Sequence, residues 1–349
     1  MHVDQLKITI PEWEQRTKDF ADRTVFQSAA WLSFLLKTQH GEPVFGALID
    51  GREIAGYFCG MVVSKFGVRM LGSPMPGWTT AYMGPNLAQG ISRRLALDAI
   101  SRFAFQELGC VHLEMMDRRL SAEGFSNSDF RSRLFTGFEL DLTQSEDALK
   151  ANMSGACRTN LRKALRSGLQ VRQSGDVSFA DHYYAQLEDV FAKRRLVPTY
   201  KKDRVQELIR NLLPEGKILL LEALDPEGHC IASMITVALN DMAFLWGSAS
   251  WRQFQIVRPN ELLMWSSIKY WKERGTRKLD MGGAGEYKRK YGGREISVPW
   301  VRASKYAGLE SLRATVLRAV KLQQRLRGFS KATSPSDAGG LWGPKEHAA

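Results

Sequence analysis

The strongest constraint on this chain is that its two halves follow one plan. In the first, VFGALIDGREIAGYFCGMVV (Val44 to Val63) places β-branched and aliphatic residues on both sides of an Asp50-Gly51 turn, which reads as a hairpin. In the second, ILLLEALDPEGHCIASMITVAL (Ile218 to Leu239) does the same around Asp225-Pro226-Glu227-Gly228. Downstream, FQELGCVHLEM (Phe105 to Met115) aligns with WKERGTRKLDM (Trp271 to Met281). Each is a helix end stopped at a glycine, Gly109 or Gly275, and followed by a strand that reaches an acidic residue, Glu114 or Asp280. The order helix, hairpin, third strand, helix, strand thus occurs twice. It predicts an α/β (α+β) protein of two related domains, each a mixed, mostly antiparallel sheet flanked by helices.

A chain of 349 residues is long enough for two cores. The boundary should fall at LTQSEDALK, a helix start with Ser145 or Thr143 as cap, giving domains of residues 1–145 and 146–305. Residues 306–329 read as a basic helix with Leu309, Leu312, Val316 and Val320 on one face. It either docks on the second domain or makes a peripheral contact with acidic lipid. Residues 330–349 form a polar, Gly/Pro-rich stretch expected to be disordered.

Several function classes find no support. No run of eighteen apolar residues occurs and MHVDQLKITIPEWEQ lacks the basic-then-apolar order of a signal peptide, which points to the cytoplasm, with at most a peripheral place at the inner membrane face. Cys59, Cys110, Cys157 and Cys230 form no C-x-x-C and the six histidines show no ligand spacing, so no metal is expected. A nucleophile elbow, a P-loop and a strand-borne G-x-G-x-x-G are all missing. The net charge of +12 instead calls for an anionic partner: a phosphate-bearing substrate, nucleic acid or an acidic lipid surface.

Three constellations in the second half could carry chemistry. In NMSGACRTNLRKALRSGLQV, Arg158, Arg162, Lys163 and Arg166 recur at spacings of three and four, which gathers them on one side of a helix ending at Gly168, with no acid to offset them. In DVFAKRRLVPTYKKD, Lys193, Arg194 and Arg195 run into a loop with Pro198 and Tyr200, a candidate binding loop. Arg258-Pro259-Asn260-Glu261 reads as a helix N-terminus with Asn260 as cap if Pro259 lies just outside, presenting free N–H groups to an anion. That helix leads through Gly275 and the strand RKLDMGG to GEYKRKYGG, where Lys288 stands just past a strand end.

Tyr287-Lys288-x-x-Tyr291-Gly292-Gly293 resembles the aromatic-Lys-x-x-aromatic-Gly-Gly signature of the FemABX peptidoglycan amino-acid transferases and the cellulose-biosynthesis-type acetyltransferases of the GNAT superfamily. LLMWSSIKYWKERGTRKLDMGG and NLRKALRSGLQV look like that family's approach to the motif and its basic helix. The resemblance implies two tandem GNAT-like domains and acyl transfer to an amine on a cell-envelope or polysaccharide precursor. It places Lys288 at the tetrahedral intermediate, with Tyr287 and Tyr291 walling the site and Asp280 or Glu286 as base. The substrate would meet Arg158, Arg162, Arg194, Arg195 and Tyr200, and the loop GSPMPGWTTAYMGP with Trp78 would close the acceptor groove.

No tightly bound cofactor is expected. The co-substrate implied is acyl-CoA, its pantetheine in a strand splay and its pyrophosphate near Arg258, Asn260 and Glu261, or aminoacyl-tRNA. The sequence departs from the common GNAT phosphate loop, since WRQFQIVRPNELL offers no glycine. The rival reading is a non-catalytic basic protein binding nucleic acid or membrane.

Overall fold

The duplicated plan becomes one continuous sheet. In the computed structural model, which describes residues 1–306 apart from 66, 122–129, 194 and 284, together with 308, 309 and 315, thirteen strands join edge to edge. The first half contributes β1 (His2–Leu6), the hairpin β2 (Glu42–Asp50) and β3 (Glu53–Lys65), then β4 (Val68–Ser73), the short β5 (Asn86–Leu87) and β6 (His112–Met116). After β7 (Arg131–Asp141), the second half repeats the pattern as β8 (Gln170–Gln173), the hairpin β9 (Ile218–Leu224) and β10 (Cys230–Leu239), then β11 (Met242–Ser250) and β12 (Lys278–Asp280); β13 (Arg294–Ser304) follows.

Both expected hairpins and both expected third strands are present, and Gly109 and Gly275 take the left-handed φ expected of helix stops, 64° and 78°. The sheet order is β1-β2-β3-β4-β6-β13-β7-β12-β11-β10-β9-β8, with β5 paired to β3. In each half the third strand lies parallel to the strand after the helix, β4 to β6 and β11 to β12, and every other pairing is antiparallel. At the centre the halves exchange strands. β7, which follows β6 in sequence, pairs with β12 of the second half, whereas β13 pairs with β6 of the first. β7 and β13 then pair with each other from Arg131 opposite Arg302 to Glu139 opposite Arg294.

Helices cover both faces, as the two-sided apolar strands require. One face carries α1 (Ile10–Thr17), α2 (Ala29–Gln39), α6 (Phe179–Ala192) and α7 (Lys202–Leu212) over a single core that crosses from one half to the other. The opposite face has two cores. One lies under α3 (Arg93–Arg102), the other under α4 (Glu146–Asn152), α5 (Gly155–Arg166) and α8 (Pro259–Glu273). On β10 the alternation is direct: Ile235 and Val237 enter the shared core, while Ala232, Met234 and Ala238 face α8. α4 is capped by Ser145, whose side chain accepts the Ala148 N–H, while Thr143 bonds Asp141. The expected helix over 306–329 and the stretch 330–349 lie outside the described residues, save isolated positions.

Candidate functional site

Strands β11 and β12 pair only from Met242 opposite Lys278 to Phe244 opposite Asp280. Among the described residues, β11 then runs on to Ser250 against β10 alone, while the chain after β12 turns away at Gly282, whose φ is 63°. A wedge therefore opens beyond Phe244, with an unpaired strand edge on one side and the Met281–Gly283 backbone on the other. At its far end stands the first turn of α8, tied to β11 by hydrogen bonds between Asn260 Nδ2 and Ser250 Oγ, 3.0 Å, and between Ser248 Oγ and Asn260 Oδ1, 3.4 Å.

Asn260 is not the helix cap. Pro259 is the first helical residue and Arg258, with φ 64°, holds the cap position in the left-handed region. The Asn260 amide thus serves to fix α8 to the strand. Glu261 is 6% exposed and accepts from Lys290 Nζ and Asn160 Nδ2, each at 2.9 Å, so it bonds α8 to its neighbours instead of offering a free charge. The loop before α8 is a 3₁₀ turn, Arg252–Val257, anchored by Arg252 on Asp189.

The GEYKRKYGG stretch forms a second 3₁₀ turn, Glu286–Tyr291, closed by Gly292. Only glycine suits that position, because φ is 82° and a Cβ would strike the Asn152 carbonyl. The Ser154 N–H donates to Lys290 O at 2.9 Å, which seats the turn on the junction of α4 and α5. Its residues then divide. Tyr291 is 3% exposed and packs in the core under α8, which corrects the expectation that it walls an open site. Tyr287 is exposed, with its ring 5.8 Å from the Lys288 ammonium. Lys288 Nζ donates to the carbonyls of Met281 at 2.6 Å, Gly282 at 2.8 Å and Gly283 at 3.3 Å, holding the turn that opens the wedge. Burial pulls this ammonium below the usual lysine value, and the Asp280 charge partly opposes that. All three of its N–H bonds have partners, so a reacting oxygen would have to displace one, the 3.3 Å contact being the weakest.

Asp280 is fully buried. Its Oδ1 accepts the Gly282 N–H at 2.7 Å, and its Oδ2 accepts Tyr82 Oη at 2.6 Å and Arg118 Nη1 at 3.0 Å. Burial raises its pKa against these partners. The carboxylate is therefore the hub of a buried network between the halves, not an open general base. Arg118 also bonds Glu139, which accepts from Arg294 at 2.7 Å.

Tyr82 belongs to the loop expected to close a groove. That loop does reach the second half: Thr79 O accepts from Trp246 Nε1 on β11 at 3.0 Å and Gly77 O from Arg204 at 2.9 Å. Trp78, however, is 6% exposed and packs in the shared core, so it supports the loop and does not face an acceptor. The same loop fills the first half's own wedge between β4 and β6. Ser73 Oγ donates to Met83 O at 2.8 Å and the Gly84 N–H to Met116 O at 3.2 Å, with Gly84 so close to Asp117 that a Cβ would not fit. Of the two related wedges, the first is thus plugged by its own chain.

The other expected binding residues scatter. Arg158, Arg162, Lys163 and Arg166 are exposed on α5, with Arg158 turned back to the carbonyls of Ala151 and Met153. Arg195 takes a left-handed φ of 53° and Arg194 lies outside the described residues. Tyr200 bonds Tyr183 Oη at 2.9 Å and lies 5.3 Å from the Trp246 ring, which places it beside β11. Sequence reasoning missed Arg118 and Lys290; an Arg pair after Asp117, just past the end of β6, and a Lys flanking the motif were the available signals.

Residues 152–289 match the family model described as an acetyltransferase (GNAT) domain. No curated protein matches the chain. Among solved structures, FemX is similar at 13% identity and a TM-score of 0.67, over 85% of this chain and 96% of that one. The C-terminal domain of a putative lysylphosphatidylglycerol synthetase from Agrobacterium fabrum is similar at 13% and 0.53, over 88% and 98%. A tandem GNAT protein from the clavulanic acid biosynthesis pathway is similar at 11% and 0.52, over 87% and 99%. The wedge, α8 and the Lys288 turn all fall within or beside the segment that matches the acetyltransferase (GNAT) model, and the chain as a whole has the fold of tandem GNAT proteins.

Proposed function

We propose that the protein is an N-acyltransferase that binds its acyl donor in the β11–β12 wedge and transfers the acyl group to an amine on a cell-envelope or polysaccharide precursor. The observation that carries this reading is the unpaired edge of β11 beyond Phe244, which ends at the N-terminus of α8. A strand edge offers N–H and C=O groups to an extended, amide-bearing chain such as pantetheine, as it would to an added strand. The N–H groups of the α8 first turn then suit a pyrophosphate at the far end, with Arg258 exposed beside them. The acyl carbonyl would lie at the narrow end of the wedge, near the Lys288 ammonium, whose charge favours a developing oxyanion once a substrate replaces its weakest carbonyl contact. In this reading residues 1–145 form the acceptor-side unit and residues 146–305 the transfer unit, and acyl-CoA is the donor.

Aminoacyl-tRNA is the second reading. It is favoured by the exposed, acid-free basic face of α5 and by the likeness to FemX and to the C-terminal domain of the lysylphosphatidylglycerol synthetase. Calorimetric titration with CoA and acetyl-CoA separates the two. One-to-one binding of CoA supports the first reading, and the plugged first wedge predicts a stoichiometry of one rather than two. A well-folded protein that binds neither would refute the CoA reading and move the test to aminoacyl-tRNA.

A further inference from the structure

Away from the wedge, on the face under α6, three ligand-type side chains converge from three elements. His182 on α6, Glu222 on β9 and Cys230 at the start of β10 bring one ligand atom each to within 4.8 Å of one another. The surroundings divide the donor atoms in the way a metal site requires. Arg172, directly opposite Glu222 across β8 and β9, takes Oε2 with both Nε, 2.9 Å, and Nη2, 2.8 Å. That leaves Glu222 Oε1 turned to His182 Nδ1 at 2.8 Å.

Cys230 Sγ accepts from Gln186 Nε2 at 3.4 Å and lies 3.6 Å from both Ser233 Oγ and the Ala232 carbonyl, to which the thiol donates. Gln186 stands one helical turn after His182, on the same side of α6. It is fully buried, and its Oε1 has no partner. Such hydrogen bonds to a carboxylate and a sulfur are the outer supports that ligand atoms ordinarily have.

We propose that His182, Glu222 and Cys230 form a zinc site, with the fourth position open to solvent. One sulfur, one imidazole nitrogen and one carboxylate oxygen suit Zn²⁺ and do not suit Mg²⁺ or Ca²⁺, which take oxygen ligands. On binding, the Cys230 thiol releases its proton to solvent and His182 gives up the Nδ1 proton it now donates to Glu222 Oε1 while holding one on Nε2, so that Nδ1 ligates the ion. The ion would clamp α6 to β9 and β10. Its effect would reach the wedge through Tyr183, the residue after His182, whose hydroxyl fills the space beside Gly247 on β11. The sequence hid this site because the three residues are far apart in the chain and share no motif spacing.

The test uses the full chain, stripped with a chelator and dialysed, then titrated with Co²⁺ and with Zn²⁺ against a chromophoric competitor. The expected result is one equivalent of Co²⁺ with a near-ultraviolet thiolate charge-transfer band that Zn²⁺ abolishes. Cys230→Ser should lose the band and weaken Zn²⁺ binding at least tenfold. Gln186→Leu should keep the band with binding weakened by about ten- to a hundredfold, the usual effect of an outer-shell loss. His229→Gln, near Cys230 but outside the trio, should change neither. Failure of the unmodified protein to give the band, or Zn²⁺ binding unaltered in Cys230→Ser, would overturn the proposal. The band of the unmodified protein decides even if a variant fails to fold, and neither readout depends on acyl transfer.

Discussion

Tyr82→Phe tests the buried hub most directly. The substitution removes one oxygen and leaves the ring, which is 2% exposed and packs edge-on to Phe26 and Phe244 at 6.1 Å each. What is lost is a single hydrogen bond, Tyr82 Oη to Asp280 Oδ2 at 2.6 Å, to a carboxylate with no solvent exposure. Hydrogen bonds to charged groups contribute about 1.5–3 kcal/mol. Asp280 keeps the Arg118 guanidinium and the Gly282 N–H, so the carboxylate is not stranded and the loss should sit near the middle of that range, about 2 kcal/mol. In a chain of 349 residues that corresponds to a fall of roughly 3 °C in Tm.

Chemical denaturation of the unmodified protein, Tyr82→Phe, Asp280→Asn and the double variant would measure the coupling. Asparagine still accepts the hydroxyl but without the charge, so the cycle should return a coupling of roughly 1 kcal/mol. A Tyr82→Phe loss under about 0.5 kcal/mol, or an identical loss in both backgrounds, would refute the idea that this bond joins the halves.

Three further outcomes are expected. Lys288→Ala should lower acyl-transfer turnover by about 10²-fold while donor affinity changes less than threefold. Because burial holds the ammonium below the ordinary lysine value, turnover in the unmodified enzyme should fall as pH rises through that lowered value, a limb missing from the variant's profile. Gly247→Ala should destabilise by about 1–3 kcal/mol, because its methyl meets the buried Tyr183 hydroxyl, and Tyr183→Phe should restore part of the loss in thermal melts. Burial raises the Glu14 pKa, but the Ala29 N–H, Arg23 and Lys217 outweigh it and leave a net depression. Its stabilisation is therefore complete above the ordinary carboxylate value and lost as pH falls through the depressed one, so Glu14→Gln should flatten the acid limb of a stability–pH curve.

The repeat made most of the fold legible, because hairpins, glycine stops and the strand acids are written locally, at Asp50-Gly51, Gly109, Gly275, Glu114 and Asp280. The strand splay was expected only from the family resemblance, and what the local sequence supplied was the run of α8 into β12. The partners of the site residues were not legible. Asp280 faces Tyr82 and Arg118 across the join between the halves, and Lys288 finds carbonyls that exist only once Gly282 turns. Tyr291 and Trp78 were expected at a substrate because an aromatic beside glycine looks the same in sequence whether its ring is in a core or a cleft. Asn260 was misplaced by one local choice: Arg258 adopts the left-handed cap that a glycine would usually take.

The exchange of β7 and β13 bears on how the chain must be made. The strand that completes the first half's sheet spans residues 294–304, and Ser304 pairs with His112, so a nascent chain cannot finish its first half until nearly all of the second has left the ribosome. During that interval the outer edge of β6 stays uncovered, a row of free N–H and C=O groups of the kind that recruits stray strands. Synthesis cut short before residue 294 should leave this edge open for good, and a split near Ser145 should give two halves that are insoluble apart and recover only when refolded together.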